Sequence, residues 1–182
     1  MKNLVKIKMT ILLLALLAVT TGYSQDSNQQ TQISFNVNNG PVFPIEGSSN
    51  QIKGSAHVND KTLYVENMSF KVPLNTFIGM HAGYLAWIGN ANMYPDLEFN
   101  GTKAVKNEDG TYNVNGQIRF RGTSAPQLIN VTENTSGNEI VLKGSFQLNT
   151  SDYFIVSPPM DLVPAWIPIQ FTLVFDKAAV TS

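Results

Sequence analysis

Between Tyr112 and Arg121 the chain switches from apolar to polar almost residue by residue. Tyr112, Val114, Ile118 and Phe120 share one parity, while Asn113, Asn115, Gln117, Arg119 and Arg121 share the other. Successive side chains of a β-strand point to opposite faces, so this pattern puts one face in a core and the other in water. Residues 140–149 repeat it, with Ile140, Leu142, Phe146 and Leu148 opposed to Lys143, Ser145, Gln147 and Asn149. Residues 167–175 repeat it again, with Ile167, Ile169, Phe171, Leu173 and Phe175 on the apolar parity.

Weaker strands fit at 33–37, 51–58, 94–103 and 126–133. Residues 62–74 alternate with a slip. Leu63 and Val65 have one parity and Met68, Phe70, Val72 and Leu74 the other, which a β-bulge near Glu66-Asn67 reconciles. Turn residues separate the runs at Asn39-Gly40, Asn59-Asp60, Asp109-Gly110 and Gly137-Asn138. About eight strands joined by short turns pair antiparallel, as a sandwich or a closed barrel. An eight-stranded barrel has an interior that its own side chains fill or that holds one small ligand.

Residues 76–93 break the pattern. Phe77, Met80 and Tyr84 lie three and four apart, and Met80, Tyr84, Trp87 and Ile88 extend the spacing. One or two helical turns follow from that, and Gly79, Gly83 and Gly89 oppose a long helix. The segment is expected to be a lid over one end of the barrel, with its glycines as hinges and Trp87 near the mouth. Asp152 to Ala165, with Pro158, Pro159 and Pro164, is a second irregular stretch.

The start of the chain carries Lys2, Lys6 and Lys8, then an apolar run from Ile11 to Val19, then Gly22-Tyr23-Ser24. That is the order of a secretory signal peptide, cut near Gln25. A retained anchor is the competing reading, but the run is shorter than the ~20 apolar residues of a membrane span. The expected organisation is a signal peptide over 1–24, a disordered leader over 25–32 and one domain over 33–178. Removing the three lysines leaves nine basic against 13 acidic residues, a net charge of −4. No basic patch remains for nucleic acid. With no cysteine there is neither a disulfide nor a lipoprotein's lipidated residue, so no stable membrane anchor is expected.

Catalytic chemistry is sparse. His57 falls on the polar parity, and His81 sits in the lid as either a carbonyl-bonded histidine or a contact to a ligand's polar head. Two distant histidines without cysteine make no metal site. No nucleophile elbow, phosphate loop or HExxH motif occurs. Asp96 and Glu98 share a parity and are expected to face solvent opposite Leu97 and Phe99. The reading is therefore of a protein that is not an enzyme and uses no cofactor.

The inward parity carries Phe35, Phe70, Phe99, Tyr112, Phe120, Phe146, Phe171 and Phe175, and with them Gly54, Gly101, Gly116 and Gly144. Inward glycines either let strands coil sharply or leave space for a long apolar molecule; the sequence leaves both open.

Several segments in order resemble one family. They are Phe43-Pro44-Ile45-Glu46-Gly47, Val72-Pro73-Leu74-Asn75-Thr76, Tyr94-Pro95-Asp96-Leu97-Glu98-Phe99, the stretch from Tyr112 through Gly122-Thr123-Ser124-Ala125-Pro126, and Ser151-Asp152-Tyr153-Phe154. Together they resemble the YceI-like family of exported, lipocalin-like proteins that bind polyisoprenoids. The resemblance covers about Ile33 to Lys177. It departs in the insertion, where the family carries charged residues around a histidine and this chain reads Gly79-Met80-His81-Ala82-Gly83-Tyr84. The resemblance implies an all-β, eight-stranded antiparallel barrel with a short helical or loop insertion as lid.

It also implies a periplasmic or secreted carrier with a lipid or isoprenoid as its partner. The residues expected to line the ligand are Phe35, Phe70, Leu74, Phe77, Met80, His81, Tyr84, Leu85, Trp87, Phe99, Tyr112, Ile118, Phe120, Leu142, Phe146 and Phe171. The competing reading is a protein-interaction module whose barrel is filled by its own side chains.

Overall fold

The structure is a computed structural model that describes residues 30–37, 44–59, 62, 64–153 and 165–180. The expected signal peptide and the stretch around Pro158, Pro159 and Pro164 lie outside the described residues. Gln32, the last residue of the expected leader, already pairs with Thr172, and the neighbouring Thr31 Oγ1 accepts a hydrogen bond from Val174 N.

The alternating segments form strands of a single antiparallel sheet. They are β1 (Gln32–Val37), β2 (Ile45–Ser49), β3 (Lys53–Val58), β4 (Val65–Pro73), β5 (Asp96–Lys106), β6 (Tyr112–Phe120), β7 (Thr123–Ser136), β8 (Glu139–Asn149) and β9 (Trp166–Asp176). Their order is β2-β1-β9-β8-β7-β6-β5-β4-β3. The strand that the sequence pattern misses is β2. The two end strands, β2 and β3, are consecutive in the chain and are separated by residues 50–52, so the curled sheet has nine strands where the sequence pattern gives about eight. At the end of β2 Ser49 is buried; its hydroxyl accepts from Gln51 N and shares a hydrogen bond with Thr76 Oγ1 at 2.6 Å.

The insertion caps one end of the curled sheet. Beyond β4 the chain continues along β2. Ile78 and Ser48 exchange both backbone hydrogen bonds at 2.9 Å, and Glu46 N donates to Met80 O at 3.0 Å. β2 is thus flanked by β1 on one side and by residues 78–80 on the other, with no open edge there.

Local chemistry explains the finer features. The slip in β4 is a bulge at Glu66, since Asn67 pairs with His57 and Val65 with Val58. Arg121 and Gly122 both have positive φ and join β6 to β7 in a two-residue hairpin loop of the kind that matches strand twist. Pro126 and Pro168 sit inside strands, but each lies where its strand has a partner on one side only, so no ladder donor is missed.

The insertion holds a single 3₁₀ turn over Leu74–Thr76 and one helix, α1 (Gly83–Ile88). Leu85 and Ile88, three apart, are its buried residues. A short helix, α2 (Lys177–Val180), follows β9 and buries Val180.

Candidate ligand-binding interior

Strand register sorts the inward side chains into three layers. At the end capped by the insertion, Phe35 meets Phe77 edge-on at 5.4 Å and Phe120 meets Tyr153 at 5.5 Å. Leu74 and Leu85 complete that layer. In the middle, Phe70, Phe99 and Ile118 lie in register across β4, β5 and β6. The Phe70 ring contacts Phe99, Phe171 and Phe146 at 5.5, 5.0 and 6.2 Å. At the far end are Tyr112 and Leu142. All of these residues are buried.

The inward glycines are covered rather than empty. Phe35 is the cross-strand partner of Gly47, and a Cβ there would stand 2.7 Å from its ring. Phe171 is the partner of Gly144 and lies against it in the same way. A Cβ on Gly116 would stand 2.6 Å from Phe99. Each glycine gives a neighbouring ring room to lie flat on the sheet wall, the device that rescues glycine in strands.

Of the sixteen residues that the sequence nominates, twelve are buried in these layers: Phe35, Phe70, Leu74, Phe77, Leu85, Phe99, Tyr112, Ile118, Phe120, Leu142, Phe146 and Phe171. Tyr84 is half-buried at the edge of the cap. Met80, His81 and Trp87 are solvent-exposed instead of joining the interior rings, with Trp87 62 % exposed. The reason is local: α1 has only six residues and turns Leu85 and Ile88 inward, which leaves Trp87 on its outer side. The nominated lining leaves out Ile33, Met68 and Val114, which the alternation itself places inward, and also Ile129 and Tyr153, all buried in the same core; Tyr153 lies just after a 3₁₀ turn, where alternation gives no signal.

Polar groups inside are few. Ser49 and Thr150 are the buried polar residues among those described, and each has hydrogen bonds. The Tyr112 hydroxyl is buried and makes no hydrogen bond of good geometry; burial first, and then the Glu133 carboxylate within its reach, push its pKa up to about 12, against the opposing Val65 backbone. Burial alone pushes Tyr84 up to about 12. The carboxylates of Asp96 and Glu98 belong to the outer face, where Lys71 pairs with both at 2.7 and 3.0 Å, and these partners raise its pKa. His57 is also outside, 3.4 Å from Glu66. Among the described residues, the interior is apolar and aromatic surface without charge.

A family model for the YceI-like domain matches residues 23–175. The chain belongs to the YceI-like family. Solved structures of similar fold include Burkholderia cenocepacia BcnA, 16 % identical, with a TM-score of 0.67 over 80 % of this chain and 95 % of that one. They also include the Campylobacter jejuni YCEI protein, 12 % identical, with a TM-score of 0.63 over 77 % of this chain and 89 % of that one. At these identities the likeness shows the shared YceI-like barrel. No curated protein matches the chain.

Proposed function

We propose that this YceI-like protein is an exported binding protein whose barrel holds a long apolar lipid of the polyisoprenoid type for transport or storage. The observation that carries the reading is the interior: three layers of apolar and aromatic side chains, uncharged, enclosed by a sheet and capped by an insertion. Such a lining recognises a ligand by area. At ~25 cal/mol per Å² of apolar surface removed from water, a long hydrocarbon chain gains ample driving force without covalent chemistry. In this reading the protein is not an enzyme, and the tripartite N-terminal sequence directs it to the periplasm or outside the cell.

A second reading has its own support. The Phe70 ring touches rings from β5, β8 and β9, so the barrel's own side chains already bridge its middle. A barrel of that kind needs no ligand and could act through its outer, polar face. In the lipid-carrier reading Phe70 is instead the plug that an entering chain turns aside.

Organic extraction and mass spectrometry of natively expressed protein separate the two. The carrier reading expects an apolar lipid at near one equivalent. Protein that contains none, and takes up none when offered polyprenol, belongs to the self-filled reading.

A further inference from the structure

We propose that the insertion between β4 and β5 is the face with which the protein docks on an electrically neutral, zwitterionic lipid bilayer. The proposal rests on the reading above, in which the ligand is a long apolar lipid.

The sequence between Lys71 and Asp96 contains no Lys, Arg, Asp or Glu over 24 residues, the longest uncharged stretch in the chain. Those residues are not all packed away. Ile78, Met80, Trp87 and Met93 are 75, 53, 62 and 66 % exposed, which makes this one segment the holder of half the large exposed apolar side chains among the described residues. Exposed apolar surface so concentrated marks a contact site. Tyr84 and Trp87 stand with ring centroids 6.0 Å apart. Aromatic side chains with one polar tip are the residues that settle at headgroup depth.

The segment is held in this presentation. Its backbone is hydrogen-bonded to β2 at Ile78 and Met80, and Arg121 donates to the Ile88 carbonyl at 3.4 Å. Phe77, Leu85 and Ile88 point inward, so their neighbours are fixed outward.

Charge at the margin selects the type of bilayer. Beside the patch, Met93, Tyr94 and Pro95 share a groove of about 250 Å³ with Lys71, Arg119, Asp96 and Glu98. That rim alternates sign, as a zwitterionic headgroup layer does. It offers no excess of cations for an anionic membrane, and the chain as a whole is acidic.

The test uses mature protein carrying Trp166→Phe, so that Trp87 is the remaining indole. Vesicles of phosphatidylcholine, with and without phosphatidylglycerol, are assayed by co-sedimentation and by quenching of Trp87 with bromine-labelled acyl chains. The proposal expects a blue-shifted, quenched Trp87 on pure phosphatidylcholine, insensitive to salt. It also expects roughly tenfold weaker partition for the Ile78→Asp, Met93→Asp double variant, whose fold by circular dichroism is intact. Folded protein that ignores vesicles overturns it. So does binding that requires phosphatidylglycerol and vanishes in salt. Self-association through the same face, seen by sedimentation velocity, overturns it in favour of a second copy as the occupant. Because co-purified lipid is measured separately, a protein that partitions but carries no lipid refutes the carrier reading and leaves the docking face standing.

Discussion

Phe70 and Phe146 face each other across the barrel with ring centroids 6.2 Å apart, although β5, β6 and β7 lie between β4 and β8 in the sheet. Two rings that span a diameter fix how any ligand can enter. A chain that threads the interior must displace Phe70, because its ring also touches Phe99 and Phe171.

Phe70→Ala should therefore act in two directions. In delipidated protein the cavity it leaves should cost about 3–5 kcal/mol, as should Phe146→Ala. Urea denaturation measures both. If the interior accepts lipid, Phe70→Ala should bind polyprenol more tightly than wild type, and the bound lipid should recover much of the lost stability. Equal losses with and without lipid would place the ligand elsewhere.

Gly144 and Phe171 are cross-strand partners, and the ring occupies the place a Cβ would take. Gly144→Ala should cost about 1–3 kcal/mol through overpacking. Adding Phe171→Leu should cost less in that background than in wild type, since the shorter side chain clears the new methyl. A double-mutant cycle by chemical denaturation checks the coupling. Strictly additive losses would mean that the ring does not rest on Gly144.

The strands with long alternation, β6, β8 and β9, were legible because burial on one face imposes period two. β2 was not. Its inward parity is Ile45, Gly47 and Ser49, so a single apolar residue carries the signal, and what covers the other two is Phe35 from β1 and Thr76 from the insertion. The same reasoning covers the glycines. Sequence parity shows that Gly116 and Gly144 face inward, but whether a ring or a void lies over them depends on strand register. The outward side of Trp87 was not legible for another reason. In a helix of six residues its spacing from Met80 and Tyr84 does not decide which side faces the core.

Tyr112 predicts the alkaline behaviour. An unfolded tyrosine ionises near pH 10, whereas burial keeps the folded Tyr112 protonated up to about 12. Between those values the unfolded chain has released a proton that the native state still holds, so stability is full below about pH 10 and falls as pH rises to about 12. Tyr112→Phe should flatten that fall. Near neutral pH it should be neutral or stabilising, because it removes a buried hydroxyl that has no hydrogen bond of good geometry to Glu133 or Val65. Melting temperatures at about pH 8 and about pH 11 compare the two proteins. A variant that is less stable at neutral pH would show that the hydroxyl is satisfied in solution.

Gly79 and Gly83 separate anchoring from hinging in the insertion. Gly79 has φ +142°, and a Cβ there would stand 2.8 Å from the Glu46 carbonyl oxygen and 3.1 Å from Gly47 Cα. Only glycine lets the backbone lie this close to β2, next to the hydrogen bonds that Ile78 and Met80 make. Gly83 opens α1, and a Cβ there would meet nothing within 4 Å. Gly83→Ala should stabilise the helix by up to about 1 kcal/mol. Gly79→Ala should cost about 1–3 kcal/mol and loosen the insertion from β2. Hydrogen exchange at the Ile78 and Ser48 amides reads this directly, since those two residues donate to each other. Exchange should speed up in Gly79→Ala and be unchanged in Gly83→Ala. If Gly83→Ala instead slowed lipid uptake while exchange at Ile78 stayed at the wild-type rate, motion about Gly83, and not release of residues 78–80 from β2, would be what opens the cap.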